Sequence, residues 1–297
     1  MGRRATPLPA HLRGVPFAVA SAGLPEQRTY AADLWTPARG TRLPVERVDL
    51  EARCLAHALT LPSGSVFSHT TAARIWRMPL PRSSDDVVHI TVPSGERAPR
   101  RRGAMGHQAR IRADEIRQVR GIRVTSPVRT FLDLADMLDL PQLVAVGDRI
   151  IGRRSPLATA LDLHDGVSRA GSRRGIQTVR VALHLLDDGA ESPKETELRL
   201  MLRDAGFGPF AANHSVSDPT GRFIARVDLA LPSLKIAIEY EGDHHRDREQ
   251  WRRDIARRRR LEAAGWFYIA VTQADLSSPH QLLSDLAAVI GSRRVAD

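Results

Sequence analysis

Apolar positions recur with two periods along this chain, most legibly at its C-terminal end. Over SPKETELRLMLRDAG the period is helical, opened by Ser192 and Pro193 and stopped by Gly206. An extended segment near Asn213 to Val216 and a turn at Asp218 to Gly221 follow. Alternation then predicts a strand over Phe223 to Leu231, a break at Pro232 and Ser233, and a second strand over Leu234 to Glu241. DREQWRRDIARRRRLEAAG reads as a helix with Asp247 as N-cap and Gly265 as its stop. The strand WFYIAVT and the amphipathic helix PHQLLSDLAAVI complete an αβββαβα order over residues 192–297, which predicts one α/β domain.

The N-terminal pattern is more mixed. Residues 15–45 suggest two short helices around Gly23, followed by the helix SHTTAARIW and the strands VVHITVP and GIRVTS. Ser126 and Pro127 open the helix PVRTFLDLADML, and LPQLVAVGDRII is another. That is an α+β pattern. Between 153 and 191 two helices, the second IQTVRVALHLL, flank the loop SRAGSRRG and read as a helical connector.

A length of 297 residues suggests about two domains. A single cysteine, Cys54, excludes an intrachain disulfide or a cysteine-rich metal site and suits a reducing, cytoplasmic setting. No apolar run reaches the roughly 18 to 20 residues that span a bilayer, so no membrane segment is expected. The basic start MGRRATPLPAHLRGVPFAVASAG is interrupted at Pro16 and Ser21, which argues against a leader. The chain carries 44 Lys+Arg against 34 Asp+Glu, and this excess of +10 favours a polyanionic partner, nucleic acid before anionic lipid.

Against that excess, RVDLALPSLKIAIEYEGDHHR sets three acids among apolar strand residues. Side chains alternate along a strand, so Glu239 and Glu241 share one face, and an antiparallel neighbour would bring Asp228 to them. Hard divalent cations such as Mg²⁺ take oxygen ligands, and two or three carboxylates suffice for a site. Spacing alone fits equally a sheet face whose acids pair with arginines such as Arg226. His244 and His245 point to opposite faces if the strand continues, so at most one would line a site. Glu195 stands three residues after Ser192, as in a capping box. Asp254 is placed to pair with Arg257 and Arg258 within their helix.

VDLALP, AIEYEGDHH, the W…D…R…L helix, GW and VTQADL together resemble the PD-(D/E)XK, restriction-endonuclease-like superfamily. Within it they resemble an uncharacterised-function domain family allied to the very-short-patch-repair (Vsr) endonucleases. The resemblance covers about 190–280. It implies a Mg²⁺- or Mn²⁺-dependent endonuclease with Asp228, Glu239 and Glu241 at the metal. His245 would activate water or contact phosphate, and Glu195 would complete the catalytic set. Superfamily members often carry lysine where Glu241 stands. Arg252, Arg253 and Arg257 would border the acids and hold phosphates.

FSHTTAARIW, HITVP, GIRVTSPVRTFLDLA and LVAVGDRII resemble AbiEi-type antitoxin and transcriptional-regulator proteins. The domains implied are a short winged-helix-like segment at 1–48, an AbiEi-like α+β domain at 49–152, the connector at 153–191 and the endonuclease-like domain at 192–297. AVASAGLPEQRTYAADLW carries a degenerate helix-turn-helix pattern. Arg97, Arg100, Arg101 and Arg102 lie on a loop marked by Pro93, Gly95, Pro99 and Gly103, exposed and suited to phosphate contact. The resulting expectation is a DNA endonuclease, with a DNA-binding regulator or antitoxin around an idle nuclease-like core as the alternative. No motif separates DNA from RNA.

Overall fold

The computed structural model describes residues 6–84, 86–101, 103–242 and 248–295, without the side chains of Arg101, Arg248 and Gln250. The chain forms two compact units. One runs to Met137 and takes in Ser168–Arg174; the other holds Leu138–Val167 and the chain from Gly175 onward. Both mix helices with sheet, and no described helix is long and apolar enough to cross a membrane.

In the first unit, β1 (Phe17–Ala18), the single-turn helix α1 (Glu26–Thr29), β2 (Leu34–Trp35) and β3 (Thr41–Pro44) come first. The strands make an antiparallel sheet in the order β1-β3-β2. The predicted pair of short helices around Gly23 takes the form of a 3-10 turn at Val19–Ser21 and the single α-helical turn α1, set within a small sheet. Pro16, Pro25 and Pro37 interrupt the segment and positive φ at Gly23 and Gly40 turns it, so no helix-turn-helix forms among the described residues.

Next come α2 (Leu50–Ala58), β4 (Val66–Phe67), α3 (His69–Ile75), β5 (Val88–Val92), β6 (Arg100–Arg101), β7 (Ala104–Gln108), β8 (Ile116–Val119), β9 (Ile122–Thr125) and α4 (Pro127–Asp133). The six strands lie in the order β6-β7-β5-β4-β9-β8. Cys54 of α2 and Ala72 and Ile75 of α3 pack with Phe67, Val88, Ile90, Val92, Ile122 and Val124. All five residues of β5 are buried, as expected of an interior strand. The expected arginine loop is instead a hairpin on the sheet's edge. Arg100 pairs with Met105 and Arg101 with Ala104, and Gly103 turns the chain at φ +80°. Arg97 and Arg100 are exposed, whereas Arg102 lies outside the described residues.

The second unit opens with α5 (Leu140–Ile151), started by a capping box in which Asp139 and Gln142 satisfy each other's backbone N–H groups. Helices α6 (Ala160–Arg169), α7 (Ile176–Leu183) and α8 (Pro193–Asp204) follow. The expected boundary at 152 falls elsewhere, because α5 packs on α7 and α8 and belongs to their core. Then come β10 (Ala211–Ser217), β11 (Phe223–Leu231), β12 (Ile236–Tyr240), α9 (Arg248–Ala263), β13 (Phe267–Val271), α10 (Gln273–Ser277) and α11 (His280–Val295). The sheet order is β10-β11-β12-β13, antiparallel for the first two pairings and parallel for the last.

Leu198 and Leu202 of α8 and Leu282, Leu286 and Ile290 of α11 pack with Leu229, Leu231, Ile236 and Ile238. A second core joins Leu261 of α9 to Ala225, Val227, Ala237 and Tyr268. Along β11, Ala225 and Val227 belong to one core but Leu229 and Leu231 to the other. The period-two alternation thus reverses at Asp228. Opposite this point β10 is irregular too: His214 pairs with Val227 and Ala212 with Leu229, while Asn213 between them takes φ +49°.

Candidate active site

The acids predicted from the sequence gather around the point where β11 and β12 stop pairing. Their ladder ends with Leu229 opposite Ile238. Beyond it the Asp228 side chain takes over as acceptor: its Oδ2 receives the Tyr240 backbone N–H at 2.8 Å. Burial pushes the Asp228 carboxyl up to about 7, with the charges of Glu195 and Glu239 adding to the effect and the Tyr240 N–H and Arg257 opposing it.

Glu239 is 6% exposed. Both of its oxygens are taken by Arg257, at 2.8 and 2.6 Å, in a two-pronged ion pair. Tyr268 adds a hydroxyl bond to Oε2 at 3.0 Å. Burial nonetheless raises the Glu239 carboxyl, ahead of the lowering by Arg257 and Tyr268. The Tyr268 hydroxyl also lies 3.0 Å from Glu241 Oε1. One phenolic proton thus serves two carboxylates. Burial and both carboxylates raise the phenol's pKa, so Tyr268 is a donor here. The shared face predicted for Glu239 and Glu241 has this physical form. Tyr268 joins it because the parallel register sets Ala237 beside Tyr268 and Glu239 beside Ala270.

Glu195 reaches the site from α8. Ser192 Oγ accepts from the Glu195 N–H at 3.2 Å, but the return half of the predicted capping box is missing. The Glu195 carboxylate instead accepts from the Glu191 N–H at 2.9 Å and from Asn213 Nδ2 at 2.7 Å. The kink at Asn213 and the start of α8 therefore hold this acid together.

Of the arginines on α9, Arg252 and Arg253 are exposed, and Arg253 pairs with Glu249 at 2.6 Å. Arg257 is turned inward onto Glu239 and lies 4.0 Å from Asp254, the pairing expected within the helix. Arg258 pairs with Glu262 and lies over the Tyr268 ring, 5.2 Å from its centre. His244, His245 and Asp247 lie outside the described residues. Among the described residues, one group of three or more metal-type ligand atoms lies within 4.8 Å of one another, and it is histidine, not acid: His69, His89 and His107. The acids do not close to that spacing. Sequence reading missed this triad, since gaps of 20 and 18 residues match no short ligand motif. Its one local signal was a histidine inside the apolar strand VHITV.

No family model matches the chain. Two uncharacterised proteins of Mycobacterium tuberculosis, MT2308 of strain CDC 1551 and Rv2248 of strain H37Rv, are each 30% identical over 196 residues. The match spans 65% of this chain and 70% of theirs. The chain belongs to the family of these mycobacterial proteins. The crystal structure of RV2827C protein from Mycobacterium tuberculosis is 17% identical, with a TM-score of 0.42 over 71% of this chain and 86% of that one.

Proposed function

We propose that the second unit is a Mg²⁺- or Mn²⁺-dependent endonuclease of restriction-endonuclease-like type that hydrolyses phosphodiesters in duplex DNA, in the cytoplasm. The observation that carries this reading is the placement of the Asp228 carboxyl, part-buried at the fork between β11 and β12 and within reach of the charges of Glu195 and Glu239. Carboxylates crowded in a half-dry place call for a cation. The donor set is all oxygen and all acidic, which fits Mg²⁺ or Mn²⁺ better than a softer metal. Asp228, Glu239 and Glu241 would hold the ion, and Glu195 would border it. Bound there, the ion would supply Lewis-acid activation of water and neutralise charge on the phosphate.

The protein's own residues account for the rest. Arg257 and a cation would compete for the same Glu239 oxygens, and a guanidinium freed from Glu239 would be available to a phosphate oxygen. Tyr268 keeps its proton and orients Glu239 and Glu241. A second reading, a DNA-binding regulator with an idle core, draws on the same ion pair: Arg257 and Tyr268 neutralise and bond Glu239 without any metal.

Supercoiled plasmid incubated with the protein and Mg²⁺, Mn²⁺ or EDTA tests the choice. Nicked or linear product with either metal and none in EDTA is expected. Intact plasmid together with salt-sensitive binding would establish the regulator, and preferential competition by single-stranded RNA would overturn the choice of substrate. Arg252→Ala and Arg100→Ala should each flatten the slope of log binding against log salt by about 1. An unchanged slope would remove that arginine from the interface.

A further inference from the structure

The three histidines of the first unit come from separate elements that the backbone ties together. His69 follows Ser68, the residue before α3, and takes φ +50°, a conformation costly for a residue with a Cβ. His89 is the second residue of β5 and fully buried. His107 is on β7, whose parallel register sets Thr91 beside His107, so His89 and His107 stand two residues apart on one face. The Ser68 N–H donates to the His89 carbonyl at 3.1 Å, and the His89 N–H donates to Thr71 Oγ1 at 2.8 Å. These bonds fix the start of α3 against the strand.

His89 Nδ1 faces His107 Nε2 at 3.0 Å. The rings of His69 and His107 are stacked, 3.8 Å between centres. His69 Nδ1 is 2.9 Å from Ser68 Oγ, which also accepts from Thr91 Oγ1 at 2.7 Å. A hydroxyl on Nδ1 directs Nε2 outward, the second-shell arrangement that orients metal-binding histidines. Three imidazoles this close cannot all carry charge. Neutral imidazole is the form that coordinates metal.

We propose that His69, His89 and His107 form a three-histidine site for a Zn²⁺-class divalent ion, with the remaining position open to water or an exchangeable anion. Neutral imidazole suits zinc and its late first-row neighbours, whereas the acids of the other unit suit harder ions. Zinc–nitrogen bonds of about 2.0–2.1 Å place tetrahedral ligand atoms about 3.3 Å apart, close to the separation of His89 Nδ1 and His107 Nε2. Stacked rings have parallel lone pairs, so either His69 or His107 must rotate to bind, and both are part-exposed. No fourth His, Cys, Asp or Glu ligand atom joins the group among the described residues. Three protein ligands with an open position is the pattern of sites where metal-bound water reacts or exchanges, not of closed structural sites. The alternative is a histidine cluster held only by stacking and hydrogen bonds.

Untagged full-length protein stripped with chelator should bind one equivalent of Zn²⁺ in calorimetry. It should also bind one Co²⁺ that shows the visible absorption of a four- or five-coordinate ion. His107→Ala and His69→Asn should each weaken Zn²⁺ binding by at least about 100-fold. Asparagine is chosen because it tolerates positive φ. Far-UV dichroism and thermal midpoints of the metal-free variants establish that they fold, and Zn²⁺ should raise the midpoint of the wild type but not of the variants. Failure to bind stoichiometric Zn²⁺ at micromolar concentration would overturn the site, as would equal affinity in folded variants. Either result is independent of plasmid cleavage, which depends on the other unit's acids.

Discussion

Asp228→Asn is expected to abolish metal-dependent plasmid cleavage, by about 1,000-fold or more, while making the metal-free protein more stable at pH 8. Under the proposed function the loss would follow from removing one of the carboxylates proposed to hold the ion, which would be asked for several kcal/mol of charge stabilisation. The gain follows from the folded-state carboxyl at about 7. An unfolded aspartate titrates near 3.9. Between about pH 4 and 7 the folded state keeps a proton that the unfolded chain has lost, so stability falls as pH rises through that window and then levels. Asparagine removes this burden, and its side-chain oxygen still accepts the Tyr240 N–H. Discounted for partial exposure, the gain is about 1–2 kcal/mol at pH 8. Chemical denaturation at pH 5 and 8, with and without Mg²⁺, checks it: the wild type should gain stability from Mg²⁺ and the variant should not. Equal stabilisation of both by Mg²⁺ would remove Asp228 from the ion's ligands.

The parts of this site that were legible in the sequence are those fixed by local period. Glu239 and Glu241 are two residues apart on a strand, and both reach the Tyr268 hydroxyl. Asp228 was reachable because a short connection makes β11 and β12 antiparallel neighbours. What stayed hidden depends on register across a crossover or on a local break. Tyr268 joins the acids through the parallel pairing after α9, and Asn213 joins Glu195 through a positive φ that no alternation announces. Arg257 was expected to pair with Asp254 and to border the acids as a phosphate contact; its two-pronged bond to Glu239 stayed hidden because a helical sequence does not say which of its arginines turns inward.

The same distinction governs the fold. LPQLVAVGDRII carries enough period and capping to define α5 over Leu140–Ile151. Strands of two residues such as β1, β2, β4 and β6 carry no period at all, and only long-range pairing makes them strands. The placement of α5 was missed for a related reason: its apolar face and its neighbours' helical periods are legible, but which helices that face packs against is not.

Asp148 on α5 supplies the answer, and Asp148→Ala is expected to cost about 3–5 kcal/mol, a large part of a typical domain's stability. Its Oδ1 accepts the Asp187 N–H at 2.7 Å, and its Oδ2 accepts from Thr196 Oγ1 and Arg199 Nη2, each at 2.8 Å. Arg199 also donates to the Leu185 carbonyl at 2.8 Å. One carboxylate thus joins α5, the segment after α7, and α8. Burial outweighs all of these partners and pushes the Asp148 carboxyl up to about 6, so the pair is close to break-even. Truncating one end is expensive because it strands the other charge, at 11% exposure, without its counterion. Replacing both ends, as Asp148→Leu with Arg199→Met, should recover most of the loss, and urea unfolding of the two singles and the double measures the coupling. A single-mutant cost below about 1 kcal/mol would mean that the pair is not desolvated as drawn. Thr196 is the residue after Glu195, so loosening Asp148 should also loosen the acid that α8 brings toward Asp228. Hydrogen exchange at the start of α8 should therefore rise in Asp148→Ala beyond what its global stability explains.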